Sequence, residues 1–384
     1  MIRKITNQPR DYAWGSHTLI PEYFGVEATG EPMAEVWFGT HEGSPTSVAG
    51  ENRTLLQLRD GQPLPFLLKI LAAGQPLSIQ AHPNLAQAAE GFERENEAGI
   101  ALTSAERDYK DANHKPEMIV ALTAFRALIG FRPNVDIAVS LRRIALKAQL
   151  LDLGALEAAV GEYVQLVRFG GVKALFRALL GRRGELDEIT EQLAVLAMAS
   201  RGEDNVESAN LALVPQLQQL YPGDPGVVIS QLLNLVVLAP MQAAELPAGN
   251  VHAYLSGLAV EVMASSDNVL RGGLTGKHIN VEELSRVVDF GLTENAVFEA
   301  VEIGDGLWHY PSATTDYKLF RAQLGSAVMP LDNAAIVLCT GGSLSVAEGE
   351  DSVILAAGEA AYVDGTQIRL ESLGESAVAF IATF

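Results

Sequence analysis

The chain has 384 residues, and its 27 Lys and Arg against 47 Asp and Glu give a formal net charge of −20. The electrostatic field of this negative charge repels DNA, RNA and anionic membrane surfaces, and no local run of Lys or Arg offsets it. We therefore expect neither nucleic acid nor a membrane as a partner. Hydrophobic residues make up 48% of the chain and charged residues only 19%, which is typical of a folded globular protein and excludes a disordered acidic chain.

The single cysteine, Cys339, excludes an intrachain disulfide and a thiolate-rich metal site. It lies in the apolar run 336–339, which predicts a buried strand thiol. A reactive nucleophile is the less favoured interpretation because no basic neighbour would lower its pKa. The N-terminus lacks the apolar core of a signal peptide, and no stretch approaches the roughly 18 apolar residues that would span a bilayer, so we expect a cytoplasmic protein.

The first 237 residues fall into two regions whose sequence patterns predict different secondary structure. Residues 1–133 carry short apolar runs, such as 65–71, between Gly and Pro turns, and these predict strands. Helices are predicted around 84–96 and 104–110, the second from the capping-box spacing of Thr103 and Glu106. In residues 134–237 the apolar positions recur three and four apart, which predicts an α-helical block of about six short helices. The block contains no His or Cys and is a poor candidate for metal chemistry.

Strand character returns after Pro240 and continues to the C-terminus. Residues 323–384 alternate short Val, Ile and Ala strands with Gly-centred turns, a spacing that predicts a β-sandwich or jelly roll. The segment contains several acidic residues but a single basic residue, Arg369, so we interpret it as an acidic structural domain. The sequence therefore predicts a mainly β fold with a helical insertion: a discontinuous β domain (1–133 plus 238–322), a helical domain (134–237) and a C-terminal β-sandwich domain (323–384).

The first polar cluster lies in the run Ser78-Ile79-Gln80-Ala81-His82. Alternate side chains of a strand share a face, so Ser78, Gln80 and His82 point one way while Ile79 and Ala81 point into packing. Three polar groups on one face, one of them an imidazole, suit half of a metal site at the mouth of a barrel. A solvent-facing strand edge is the equally weighted alternative.

Two further segments carry metal-ligand chemistry. In His114-Lys115-Pro116-Glu117, the Lys115 and Glu117 side chains share a face, and a carboxylate is a metal ligand while the lysine suits phosphate binding or proton transfer. In 247–252, a Pro-x-Gly turn presents His252 at the start of a strand, as in cupin-type metal sites. An exposed Lys–Glu pair and an ordinary core or surface histidine are the alternatives.

The last cluster combines a carboxylate with cations. Glu261 lies inside an apolar strand, where burial is costly unless the group is paired or near a metal. Arg271 is followed by two glycines and can approach a small anion closely, and Lys277 adds a second cation. A solvated turn with ordinary surface charges is the alternative.

Together these segments resemble one family over nearly the whole chain, type I mannose-6-phosphate isomerase. The resemblance implies a cupin-like jelly-roll catalytic domain, a helical domain and a second, C-terminal cupin-like domain. It also implies one zinc ion per chain, held by Gln80, His82, Glu117 and His252. The matching segments, in the order and spacing of the family, are Tyr12-Ala13-Trp14-Gly15-Ser16, Ala34-Glu35-Val36-Trp37, 65–69, 77–84, 114–117, 247–254 and 261–277.

The reaction implied by the resemblance interconverts mannose 6-phosphate and fructose 6-phosphate by moving a proton between C1 and C2 through an ene-diol(ate). The base remains open among Glu261, Lys115 and a zinc-bound hydroxide. The site residues implied are Arg271, Glu261 and Lys115 for catalysis, and Lys69, Ser78, Tyr254, Lys277 and Trp14 for substrate binding, with Lys69, Ser78 and Lys277 as candidates for the phosphate.

Two rival functions remain as hypotheses. A cupin-type metal oxygenase would use two or three histidines and a carboxylate on iron, and Gln80 together with the surrounding cations argues against it. A non-catalytic sugar-phosphate-binding protein would not need the complete ligand set or Arg271. The chain departs from the family pattern at Ala81, where Val is usual, and at Gly272 and Gly276. A sugar phosphate is the expected partner, and the chain is predicted to be a monomer.

Overall fold

The computed structural model describes residues 1–203, 206–291, 296–304, 306–374 and 376–384. Within these ranges, antiparallel strands form three sheets, and helices are inserted between the seventh and eighth strands. The elements before the insertion are β1 (Ile2–Thr6), α1 (Leu19–Phe24), β2 (Glu35–Phe38), β3 (Ser47–Val48), α2 (Leu55–Leu58), β4 (Phe66–Ala73), β5 (Ile79–Ala81), α3 (Leu85–Glu97), β6 (Glu117–Ala121) and β7 (Phe125–Phe131). The inserted helices are α4 (Asn134–Leu150), α5 (Gly154–Gly181), α6 (Asp187–Ala199), α7 (Val206–Leu211), α8 (Val214–Leu220) and α9 (Pro225–Ile229), followed by a 3-10 helix (Ser230–Leu232). The elements after it are β8 (Leu233–Leu238), β9 (Ala243–Leu246), β10 (His252–Ala264), β11 (Leu270–Gly273), α10 (Val281–Val287), β12 (Val297–Phe298), β13 (Val301–Gly304), β14 (Leu307–Tyr310), β15 (Lys318–Leu324), β16 (Ser326–Pro330), β17 (Ala335–Gly341), β18 (Ser343–Glu348), β19 (Asp351–Ala356), β20 (Ala360–Val363), β21 (Gln367–Ser372) and β22 (Ala377–Thr383).

The long strand β10 organises the sheet that carries the predicted site residues. Its second half pairs with β4 and β6, and its first half pairs with β5 and β7. Side chains alternate along these strands: Leu68 and Ile70 face a core shared with the C-terminal sheet, whereas Lys69 and Leu71 face the inside of the strand arrangement. The polar residues therefore line one interior surface.

The C-terminal region is a sandwich of an eight-stranded sheet and a four-stranded sheet. The larger sheet has the order β13-β14-β15-β22-β17-β20-β1-β3, so the first strand of the chain pairs with β20 near its end. The predicted domain division places β1, β3, β13 and β14 with the other β region, and its boundary between residues 322 and 323 falls inside β15. These strands join the C-terminal sheet because its two edges need hydrogen-bond partners that distant segments supply.

The buried core of this sandwich contains Cys339. The residue lies on β17 with none of its surface exposed, and burial raises the pKa of its thiol to about 11. The prediction of a buried strand thiol is therefore confirmed.

The helical block predicted in 134–237 is confirmed as α4 to α9, with a break in α5 at Gly171, whose φ is +66°, but its last residues form strand β8, which pairs with β7. The helix predicted at 104–110 is wrong: those residues form a turn, a bend and irregular backbone. The carboxylate of Glu95 on α3 accepts the N–H groups of Asp108 (3.1 Å) and Tyr109 (2.9 Å), so these amides bond outside their own segment. Tertiary hydrogen bonds thus replace the local helix.

The helical insertion packs on the strands that carry the first polar cluster. Ile79 and Ala81 of β5 are fully buried in the same core as Phe176 of α5, which confirms that these two side chains point into packing. Among the described residues, no helix combines the length and the apolar character needed to cross a membrane.

Candidate metal centre and active site

Strand register brings the polar segments together across long distances in sequence. Gln80 on β5 lies opposite His252 on β10 and also opposite Arg271 on β11. Lys69 on β4 lies opposite Glu261 on β10. Each pair is adjacent because antiparallel neighbours on one face stand about 4.5–5.5 Å apart. The sheet therefore brings residues of β4, β5, β10 and β11 into one site.

At the floor of this site lies a buried cluster of His82, Glu117 and His252. The Nε2 atoms of His82 and His252 lie 3.4 and 3.3 Å from the Oε1 and Oε2 atoms of Glu117, and one donor atom from each residue falls within 4.8 Å of the others. Gln80 Nε2 lies 3.2 Å from His252 Nε2, so its amide reaches the same point. The three clustered side chains are at most 1% exposed.

The protonation states of the two histidines in the cluster suit the binding of a cation. His82 Nδ1 bonds to the carbonyl of Asn268 (2.7 Å) and His252 Nδ1 to that of Asn250 (3.1 Å), which leaves each Nε2 with its lone pair toward Glu117. Burial lowers the pKa of His82 to about 4, more than Glu117 raises it, so the ring is neutral. Within the described residues, His82 Nε2 and Glu117 Oε2 have no hydrogen-bond partner. Buried polar atoms without partners are costly, and a metal ion would satisfy both.

Lys115 neutralises the carboxylate of the cluster from the cavity side. Its Nζ atom lies 3.0 Å from Glu117 Oε1. Burial alone would raise the pKa of Glu117, but the positive charge of Lys115 outweighs it and holds that pKa well below its usual range. The carboxylate is therefore ionised, which is the form that binds a metal.

A second buried network surrounds Glu261. Lys69 Nζ lies 2.8 Å from Glu261 Oε2 and 3.5 Å from Glu35 Oε1. Tyr254 donates its hydroxyl to Glu261 Oε1 (2.9 Å). Trp37 Nε1 donates to Glu35 Oε2 (2.9 Å). Burial would lower the pKa of Lys69, but the two carboxylates raise it. Burial raises the pKa of Glu261, which Lys69 only partly offsets.

These groups line one cavity of about 510 Å³. Its far wall carries Arg271 and, at its exposed rim, Lys277; no ion pair involves either cation among the described residues. Burial lowers the pKa of Arg271, and desolvation together with Arg271 lowers that of Lys277. The predicted residues that line the cavity are Trp14, Lys69, Ser78, Gln80, Lys115, Glu117, Tyr254, Glu261, Arg271 and Lys277, with His82 and His252 buried against Glu117 beneath it.

The cavity is also lined by residues that the sequence analysis did not predict. Tyr12 lies in one of the matching segments, so that signal was present, and Asp267 and Thr275 lie within another. Tyr221 comes from the end of α8 in the helical insertion, where nothing in the local sequence marks it as a site residue.

The fold and the site define the class of protein: a mainly β chain with a buried site for one metal ion beneath a cavity lined by polar and cationic side chains. A family model described as phosphomannose isomerase type I, catalytic domain, matches residues 2–134. The mannose-6-phosphate isomerase of Salmonella typhimurium is 35% identical, with 98% of each chain covered, and that of Homo sapiens is 31% identical, with 87% of this chain and 86% of the relative covered.

Solved structures show similarity to the same family. The Salmonella typhimurium mannose 6-phosphate isomerase, bound to its substrate and to zinc, superimposes with a TM-score of 0.88 at 32% identity over 100% of both chains. A zinc-bound holo mannose 6-phosphate isomerase has a TM-score of 0.87 at 33% identity, again over 100% of both chains. The chain belongs to the type I mannose-6-phosphate isomerase family, which confirms the resemblance seen in its sequence.

Proposed function

We propose that this protein is a zinc-dependent aldose–ketose isomerase that interconverts mannose 6-phosphate and fructose 6-phosphate. The observation that carries the proposal is the pair of buried atoms, His82 Nε2 and Glu117 Oε2, that lie in one cluster without hydrogen bonds beneath a cavity lined by cations. The relatives that match the whole chain are named for this activity, and one of their structures holds zinc and the substrate.

The donor set fits zinc. Two imidazoles and a carboxylate, with the Gln80 amide beside them, are nitrogen and oxygen ligands that this ion accepts. Gln80, His82, Glu117 and His252 would hold it. When bound, the ion supplies a Lewis acid that stabilises negative charge developing on a substrate oxygen. Every other step falls to the side chains of the cavity.

The phosphate group is assigned to the wall with Arg271, Lys277 and Ser78. Both cations lack a carboxylate partner among the described residues, and a phosphate with nearly two negative charges satisfies them. Lys69 is held by Glu261 and Glu35, so it serves to orient Glu261 rather than to bind phosphate.

Proton transfer between C1 and C2 is assigned to the side of the cavity next to the metal ligands. Glu261 and Lys115 are the two side chains placed to move the proton: the first has a carboxylate whose pKa burial raises, and the second lies 3.0 Å from Glu117. Loss of deuterium from C2-labelled mannose 6-phosphate to solvent distinguishes them, because replacing the base with Glu261→Gln or Lys115→Gln abolishes the exchange, whereas replacing a positioning group only slows it.

The domain organisation is part of the proposal. The sheet around β10 and the C-terminal sandwich are assigned as two cupin-like domains, with residues 134–237 as the helical domain between them. The C-terminal unit, predicted as 323–384, then extends to include β1, β3 and β13–β15, which share its larger sheet. We further propose a monomer located in the cytoplasm.

The test is elemental analysis of the purified protein combined with a coupled assay on mannose 6-phosphate before and after chelation. We expect about one zinc ion per chain, loss of turnover on chelation and recovery on adding zinc. Full turnover after complete metal removal would overturn the mechanism. An iron protein that consumes oxygen would favour the oxygenase, and binding without turnover by the zinc-loaded protein would favour a sugar-phosphate-binding protein.

A further inference from the structure

The loop that follows β11 forms one wall of the cavity and is anchored to the helical insertion. Asp224, which caps the N-terminus of α9, is buried with 8% of its surface exposed. Its Oδ1 atom accepts the N–H groups of Gly226 (2.7 Å) and Leu274 (2.6 Å), and its Oδ2 atom accepts that of Thr275 (3.3 Å). One carboxylate therefore caps a helix and also holds two amides of the loop.

The opposite side of the same loop is held by Arg183, just after the end of α5. Its Nη1 atom donates to the carbonyl of Lys277 (3.0 Å) and its Nη2 atom to the carbonyl of Thr275 (2.5 Å). Within the loop, the N–H of Lys277 donates to Thr275 Oγ1 (3.1 Å). The helical insertion thus binds the amides of the loop through an anion and its carbonyls through a cation.

The backbone of the loop depends on this contact. Gly273 has a φ of +133°, and a Cβ atom there would lie 2.6 Å from the Cα of Gly226, so two backbones meet without room for a side chain. Leu274 follows with a φ of +51°, a conformation that costs free energy for a residue other than glycine. A glycine-rich loop of this kind loses much conformational entropy on ordering, and the two ionic anchors offset that cost.

The insertion also reaches the other side of the cavity. Tyr221, between α8 and α9, lines the cavity and donates its hydroxyl to the carbonyl of Pro76 (3.1 Å), two residues before Ser78. The two segments that carry Ser78 and Lys277 are therefore both tied to one short stretch of the helical insertion.

We propose that Asp224 and Arg183 are positioning residues that fix the loop 273–277 so that the Lys277 side chain faces the phosphate group of the substrate. The proposal rests on the proposed function, because it names the part of the chain that shapes the phosphate end of that site. The helical insertion then serves phosphate recognition, although it contributes no metal ligand.

The test compares adjacent arginines. Arg183→Ala removes both bonds to the loop, whereas Arg182→Ala removes a contact with Glu162 inside the insertion (2.7 Å) and serves as the matched control. We expect Arg183→Ala to raise both the KM for mannose 6-phosphate and the inhibition constant of inorganic phosphate about fivefold, with kcat changed less than about twofold and zinc content unchanged. Arg182→Ala leaves all four values as in the wild type.

Arg183→Lys separates geometry from charge. Lysine keeps the positive charge but does not span two carbonyls as a guanidinium does, so we expect it to behave like Arg183→Ala. If Arg183→Lys behaves like the wild type, the effect is electrostatic and the positioning role is overturned.

Hydrogen–deuterium exchange tests the anchoring without reference to activity. Asp224→Ser keeps a helix cap but is too short to reach the loop, so the amides of Leu274 and Thr275 should exchange faster than in the wild type. Unchanged exchange in this variant, or equal phosphate inhibition constants in Arg183→Ala and Arg182→Ala, overturns the proposal. A wild-type protein that fails to isomerise mannose 6-phosphate overturns the proposed function instead.

Discussion

Replacing Lys69 with methionine probes the buried charge network beside the metal site. The Nζ atom of Lys69 lies between Glu261 (2.8 Å) and Glu35 (3.5 Å), and all three side chains are buried. Methionine has a similar volume but no charge. The variant therefore leaves two buried carboxylates without their cation, which is more costly than removing the whole network.

The expected loss is about 3–5 kcal/mol at neutral pH, the usual cost of breaking a buried ion pair. With an unfolding entropy of about 2.1 cal/mol/K per residue, this corresponds to a Tm about 4–6 °C lower for the 384-residue chain. The deficit must depend on pH. Burial already raises the pKa of Glu261 above its ordinary 4.5, and loss of Lys69 raises it further. The free energy of unfolding of the variant is therefore lowered only at pH values where this carboxyl is ionised in the unfolded chain.

Thermal unfolding of the metal-free wild type and variant at pH 5 and pH 7 checks this reasoning. The deficit of Lys69→Met should be large at pH 7 and shrink toward pH 5, where Glu261 is protonated in the folded variant at little cost. The double variant Lys69→Met/Glu261→Gln removes the nearer of the two unpaired charges and should recover much of the lost Tm. A deficit that stays constant between the two pH values, or strictly additive losses in the double variant, would refute the interpretation.

Three further outcomes follow from the site and its supporting loop. His252→Ala should lose most of the bound zinc and activity because it removes one of the buried residues proposed to hold the ion, whereas His17→Ala, at an exposed position, should keep both; elemental analysis and the coupled assay decide. Arg271→Ala should lower kcat/KM by about 100-fold while zinc content stays at the wild-type level, since the guanidinium lines the cavity where we propose that the substrate binds and is not one of the proposed metal ligands. Gly273→Ala should lower the Tm by several degrees, because its Cβ would meet the Cα of Gly226 at 2.6 Å; an unchanged Tm would show that the loop can move away from α9.

Much of the site could be predicted from the sequence because its side chains sit at alternate positions of short strands. The period of two places Gln80 and His82 on one face and buries Ile79 and Ala81 on the other, and the structure has this arrangement. The same local argument failed at residues 104–110, where Glu95 from a separate helix binds the backbone amides that the capping-box pattern assigned to a helix.

Composition and periodicity alone predicted the lone buried thiol, the helices of the insertion and the shared polar face of Ser78, Gln80 and His82, whereas the ligand set and the other site residues were implied by the family resemblance. Only the tertiary structure decided that β1 pairs with β20, because strand order depends on contacts between segments hundreds of residues apart. It also decided that Lys69 is bound by two carboxylates and that Asp224 and Arg183 hold the loop of Lys277. Such pairings leave no local pattern, since each residue looks like an ordinary surface charge until the fold places it beside its partner.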